Sequence, residues 1–428
     1  VFAMTNEPNE LPETGELREP HSTQKTPPSR FRLEPEKPSG PFRAMAALWR
    51  IGAPSAEEWR RVGDFMNLGD PVFDRLAEWM HTEATGPQRG EIHAALASGA
   101  TSDVRRFAEV ATALEQLEAE PDWLDREKLA IGARALRRGG SDGMYFARDV
   151  SLMGGYQFSD LNKTLVRTGA LEKGANQRFA ETMRWALDLT GEGGLDPWAP
   201  GFSSTAHVRL IHAVVRRSVA AMPDWDSGSW GTPINQTDMG ATLAGALITP
   251  AAGALTMGVV CTPRELDAVA HFTRYVGTLM GVRDEFLPHD FRDSIRLLCL
   301  LVTAQSEPDE SSALLAAPLG DTPLEWRFGR FEAVRRRIAR QQHLSMAATF
   351  LGPSMMRRLG LPAALLPWYP ALRLPINAAR SAYALSSPER RRRSAIAGGR
   401  AQWRFYVRIT GGEGTDIGAS AAPSTRAA

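Results

Sequence analysis

"SSTAHVRLIHAVVRRSVAAM", residues 203–222, is the stretch from which the fold is read. Val208, Ile211, Val215 and Val219 recur at three- and four-residue steps, so they line one face of a helix. Ser203, Ser204 or Thr205 is expected to cap its start. Arg216 and Arg217 stand in its later turns, where cations suit the helix dipole, and Pro223 lies near its end. His212 shares the apolar face, one turn after Val208 and one turn before Arg216. An imidazole turned inward needs a partner for at least one ring nitrogen. A backbone carbonyl or a hydroxyl would serve; so would a metal, and haem iron takes a single protein imidazole.

The same period recurs along the chain. "SAEEWRRVGDFMN" (55–67), "DVRRFAEVATALEQLEAE" (103–120), "NQRFAETMRWALDLT" (176–190), "PRELDAVAHFTRYVGTLMGV" (263–282) and "RFEAVRRRIARQQHLSMAATFLG" (330–352) all carry apolar residues at helical steps. Alternating strand patterns are scarce and no fixed-period repeat is present. The expected fold is all-α: one large helical domain over 43–410. It is flanked by a disordered Pro-, Glu- and Ser-rich arm over 1–42 and a loose tail over 411–428.

The chain has 428 residues, 43% of them hydrophobic, and a formal charge of +1. So balanced a charge argues against a nucleic-acid partner, and the arginine runs 335–337 and 390–393 are expected to be solvated helix faces. With two cysteines, Cys261 and Cys299, there is no disulfide framework and no zinc or iron–sulfur spacing. A reducing cytoplasm is the expected location, and the N-terminal stretch carries no apolar signal-like region. The uncharged run 239–261 is long enough to span a bilayer. Pro250 divides it, and two short buried helices are expected. "LPAALLPWYPALRLPI" (361–376) is apolar but broken by prolines. It reads as an extended loop packed on the core, a pocket cover, or a peripheral contact with a membrane surface.

In 176–190, Arg178, Thr182, Trp185 and Leu189 form one stripe. A salt bridge from Arg178 to Asp188 or Glu181, with Thr182 bonded back to its own helix, would satisfy the polar members. A polar wall over a cofactor would also satisfy them. Gly154 and Gly155 of "LMGGY" permit close backbone approach, as a flat ring requires. "PINQTDM" (233–239) is a polar turn in which Asp238 is expected to cap the following helix.

Taken in order, "LMGGY…TGAL", "RFAET", "HVRLIHAVVR", "PINQTDM" and "YVGTLMGV" resemble the haem-dependent oxygenase family of latex-clearing protein (rubber oxygenase) and the MpaB-type oxygenases, over roughly residues 65–400. The resemblance implies an all-helical fold with a globin-like core holding haem b. His212 would be the axial iron ligand, its second nitrogen bonded to a carbonyl or carboxylate. Arg178 and Thr182 would be the polar pair near the pocket, and Arg216 a propionate or structural partner. Where rubber-cleaving members carry a lysine before the threonine, this chain has Glu181. Their upstream glutamate falls at Asn162, near Asp160. A smaller apolar, unsaturated substrate is therefore expected beside dioxygen, with Glu181 or Asp160 available to carry a proton. The electron donor is not readable. A haem-binding sensor or carrier, and a cofactor-free helical binding protein with His212 on a carbonyl, are the alternatives. A di-iron carboxylate enzyme would need paired Glu-x-x-His motifs, which are absent.

Overall fold

Helix Pro263–Leu279 is buried around most of its circumference, from Leu266 through His271 and Phe272 to Leu279. A helix apolar on nearly all sides belongs inside a fold. Its start is built for the purpose. Pro263 occupies the first turn, where no N–H partner is needed, and Thr262 and Glu265 close a reciprocal capping box. Helix Arg126–Arg138 lies directly against it. Gly132 makes this possible, because a Cβ there would stand 2.4 Å from the Ala268 carbonyl oxygen. Arg138 and Glu265 cross the same seam as a buried ion pair at 2.7 Å.

The computed structural model describes residues 26–38, 40–169 and 174–412, and among them no strand is present. The other helices wrap this pair and bury three apolar clusters. One gathers Phe73, Leu76, Phe202, Leu210 and Phe272. A second gathers Phe146, Phe179, Trp326, Leu344 and Phe405. A third gathers Ile248, Val269, Phe291 and Leu298. The central helix serves two of the three, so the clusters share elements and form one large helical domain.

Several expectations change. The arm does not stay loose to residue 42. Phe31 is buried and packs its ring 5.1 Å from Trp59, Trp59 Nε1 donates to the Arg32 carbonyl, and Gly40–Leu48 is helical. Residues 1–25 and 413–428, the rest of the expected arm and most of the tail, lie outside the described residues. The helix around His212 begins at Pro200, ahead of the serines, with Ala199 as N-cap and no side-chain cap. Proline at the first helical position does the work expected of a hydroxyl.

Asn235, not Asp238, caps the helix Gln236–Leu243. The polar turn before it is a structural knot. Gln236 donates to the Gly69 and Gly281 carbonyls and accepts from Arg283 N, while Thr237 donates to the Val62 carbonyl. After it, a π-helical stretch Ala244–Ile248 leads into helix Thr249–Thr256, with Pro250 in the opening turn. The whole of 236–256 is long and apolar enough to cross a membrane by length and composition; 44% of its apolar 18-residue stretch is buried in the fold. Finally, 361–376 is not an extended loop. Its second half opens a helix, Trp368–Leu385.

Candidate functional site

The site grows out of two consecutive helices, Ala175–Thr190 and Pro200–Ala220, which the intervening turn sends back antiparallel. Two contacts set their register. A Cβ on Gly201 would lie 2.7 Å from Leu189 Cα, so the backbones nearly touch there. One turn on, Trp185 Nε1 donates to Thr205 Oγ1 at 3.1 Å. Counting seven residues from this contact along each helix, a rise of about 10 Å, brings Arg178 level with His212. Thr182 is level with Val208 by the same count. The stripes 178–182–185 and 205–208–212 therefore face one another.

The seam is closed at its Gly201 end and open at the other. Thr182 is exposed, and Arg178, Val208, Ile211, His212 and Val215 are half-buried. The fully packed side of helix 200–220 is a different one, formed by Phe202, Ala206, Leu210 and Ala213. The face carrying His212 lies at the open part of the seam, away from the densest core.

His212 is enclosed by protein, and this burial, aided by the nearby Arg216 guanidinium, holds its pKa down to about 4. Its ring nevertheless keeps accessible surface. Crowded by neighbouring atoms yet partly exposed, the ring lies at the open part of the seam. The imidazole is neutral at pH 7, the form able to ligate a metal. Nδ1 is sealed from solvent and has no hydrogen-bond partner, so the expected carbonyl or carboxylate on the second nitrogen is not found among the described residues. A buried polar atom left unpaired costs about 1–3 kcal/mol.

A haem fits the residues present. Val208, Ile211 and Val215 share the half-buried helix face of one neutral imidazole. No group of three or more His, Cys, Asp or Glu among the described residues could hold a bare ion instead. Single-imidazole ligation in an apolar slot is what haem iron accepts.

The other candidates separate. Thr182 Oγ1 donates back to the Arg178 carbonyl at 3.1 Å, which leaves its lone pairs free to accept. Asp188 pairs with Arg184 rather than Arg178. Glu181 is buried, not at the surface, and accepts from Gln177 Nε2 at 3.1 Å. It stands about 100° around the helix from Thr182 and so leaves the gap-facing stripe. Arg216 is a bolt rather than a wall of the gap. Its guanidinium is held by Asp74, by the Pro233 and Ile234 carbonyls and by Met239 Sδ, the structural half of its expected role.

Asp160 is not free to carry a proton, because it is ion-paired at 2.9 Å to Arg30 and accepts from Ser306 N. Asn162 donates to the Tyr156 carbonyl and Ser311 Oγ, with its Oδ1 buried and unpartnered. Gly154 makes room for Leu351 rather than a ring: a Cβ there would stand 2.8 Å from Leu351 Cδ2. His271 accepts from Asp125 N at 3.0 Å and so caps a neighbouring turn.

Sequence reasoning missed Arg30, which bridges Asp160 and Asp238 from within the supposed arm. It also missed Asp70, which holds the buried Arg209 guanidinium one helical step from Leu210. The only local signal for either was an unexplained buried charge on the partner helix.

An all-helical domain is the class that the fold defines. The chain belongs to the family described as ER-bound oxygenase mpaB/B'/Rubber oxygenase, catalytic domain, whose profile matches residues 136–387. Among characterised proteins it is 26% identical over 201 residues to the rubber oxygenase of Streptomyces sp. (strain K30), covering 45% of this chain and 46% of that protein. It thus spans about half the length of that relative. In fold it is similar to latex clearing protein LCP in its closed state, with a TM-score of 0.58 at 20% identity, over 80% of this chain and 91% of that one.

Proposed function

We propose that this chain is a haem b-dependent oxygenase acting with dioxygen on an apolar, unsaturated, isoprenoid-like small molecule. Membership of the oxygenase family supports the reaction class. The observation that carries the haem is His212: crowded by protein, neutral at pH 7 and brought level with Arg178 by the register of the two helices. A cofactor-free reading would put that imidazole on a carbonyl; among the described residues Nδ1 has none.

In this reading His212 would hold the haem iron, and Val208, Ile211 and Val215 would give it apolar surroundings. Haem supplies the redox-active iron with which dioxygen is activated. Arg178 donates from a planar fork. It orients dioxygen or fixes a haem carboxylate from the wall opposite His212. Thr182 accepts a hydrogen bond while its own proton stays on the Arg178 carbonyl, and donates only after its hydroxyl turns. Such preset dipoles favour charge that develops during reaction.

Proton delivery differs from that implied for the rubber-cleaving relatives. Asn162 has no titratable proton, and Glu181 and Asp160 are both engaged elsewhere. This favours a small substrate over polyisoprene. The test is the visible spectrum. Purified protein reconstituted with haem is expected to show a Soret band that His212→Ala loses at unchanged helical content. A parent chain that stays colourless under reconstitution overturns the proposal.

A further inference from the structure

Helix Trp368–Leu385 has its polarity inverted. Its inward side carries four polar groups beside Pro370 and Ala384. Tyr369 Oη, the Arg373 guanidinium and Asn377 Nδ2 all converge on the buried Asp142 carboxylate, the last at 2.8 Å. One turn further, Ser381 donates to the Gly258 carbonyl at 2.9 Å and accepts from Val260 N at 3.0 Å. Its outward residues are apolar: Leu372, Leu374, Ile376 and Tyr383 are exposed, as are Trp368 at its start and Leu366 just before it. Leu366 and Leu372 are 77% and 55% exposed, so this is not the edge of the core but a surface. A surface helix of a water-facing protein has the reverse arrangement.

Charge identifies what the face meets. From residue 359 to 388 there is no Asp or Glu. Arg380 lies on the helix, and Arg390–Arg393 open the next one. Glu389 takes Arg392 and Arg393, while no carboxylate among the described residues pairs with Arg380 or Arg390. Arg390 instead lies 4.9 Å over the Tyr383 ring. An aromatic near each end, leucines and isoleucine between, and arginines at one flank match a helix lying in a bilayer interface. A second copy of the chain would bring its own arginines against these, which like-charge repulsion opposes.

We infer that the outward face of helix 368–385 docks on an anionic bilayer surface, with Leu366, Leu372 and Ile376 entering the headgroup boundary and Arg380 and Arg390 contacting lipid phosphates. The polar clamp on Asp142 is what holds the helix with this face outward. The inference does not depend on haem or on the proposed reaction.

The test uses the full chain with vesicles of phosphatidylcholine alone and of phosphatidylcholine mixed with phosphatidylglycerol, followed by flotation. Binding is expected to the mixed vesicles, weakening with salt. The double variant Leu372→Glu/Ile376→Glu is expected to lose about tenfold or more in partitioning at an unchanged melting temperature. Arg380→Glu/Arg390→Glu is expected to lose the preference for anionic lipid. No binding by the parent chain, or binding that neither variant alters, overturns the inference. So does a dimer in sedimentation that the leucine variant dissociates, since the face would then belong to a second copy.

Discussion

His343 shows how this molecule handles a buried histidine without a metal. Its Nδ1 lies 2.6 Å from Asp149 Oδ2, and Asp149 is also bound by Arg148, whose other nitrogen donates to Thr322 Oγ1. Every member is buried. Burial nevertheless outweighs the Asp149 charge and lowers the His343 pKa below its ordinary value. At neutral pH the ring is therefore neutral and Nδ1–H donates to the carboxylate. The linkage sign follows. Above pH of about 6.5 the ring is neutral in both folded and unfolded chains and contributes no slope. As pH falls below that, the unfolded chain takes up a proton that the folded chain refuses, so stability is lost. An asparagine keeps the donor and removes the titration. His343→Asn is thus expected to show a smaller drop in melting temperature between pH 7.5 and pH 5.5 than the parent, roughly the range in which an unfolded histidine titrates. Equal drops in the two proteins would refute a neutral His343. His212 lacks any such carboxylate, and the contrast between the two rings is what points His212 toward a ligand rather than toward the core. Both histidines fell on helical patterns in the sequence, but their different fates did not. The distinction rests on Asp149 being brought in from 194 residues away.

At the scale of elements, the gap depends on how closely helices 175–190 and 200–220 approach at one end. Gly201 sets this. An added Cβ would lie 2.6 Å from the Gly194 carbonyl oxygen and 2.7 Å from both the Asp188 carbonyl oxygen and Leu189 Cα, all backbone atoms that cannot swing aside. Gly201→Ala must push the helices apart at the closed end and tilt Arg178 relative to His212. We expect a cost of about 1–3 kcal/mol in thermal stability together with a weakened haem affinity. A variant that melts and binds haem as the parent does would show that the register is held elsewhere. Much of this element scale was legible. The stripe of Arg178, Thr182 and Trp185 and the stripe containing His212 both followed from a 3.6-residue period. Their mutual register was not, because it rests on a glycine contact and an indole–hydroxyl bond between helices. The true start of helix 200–220 was missed because attention went to Ser203 and Thr205, when the signal was Pro200. The helix within 361–376 was missed because its prolines suggested a loop. Pro370 falls in the first turn and Pro375 on the exposed side, where a missing N–H is tolerated more easily.

Across the whole molecule, Arg30 ties the N-terminal strap to two distant helices. Its guanidinium lies 2.9 Å from Asp160 on helix Ser159–Arg167 and 2.8 Å from Asp238 at the start of helix 236–243. Asp238 is buried, and that burial raises its pKa with Asp160 adding to the rise; Arg30 opposes both. The strap thus supplies the cation for two carboxylates that the rest of the fold leaves facing each other. Nothing local in "TPPSRFRLEPEK" (26–37) announces this. Pro, Ser and charge at low hydrophobicity read as a disordered arm, and the ion pair spans 208 residues to Asp238. Arg30→Met removes the cation and keeps the stem's bulk. Breaking a buried pair by removing one partner costs about 3–5 kcal/mol, so the melting temperature is expected to fall by many degrees and proteolysis to open at 26–38. Adding Asp238→Asn to Arg30→Met removes the orphaned charge and is expected to recover part of the loss, because the two sites are coupled. Losses that simply add would mean that Arg30 and Asp238 stabilise the fold independently and that the pair is not the tie between strap and helix.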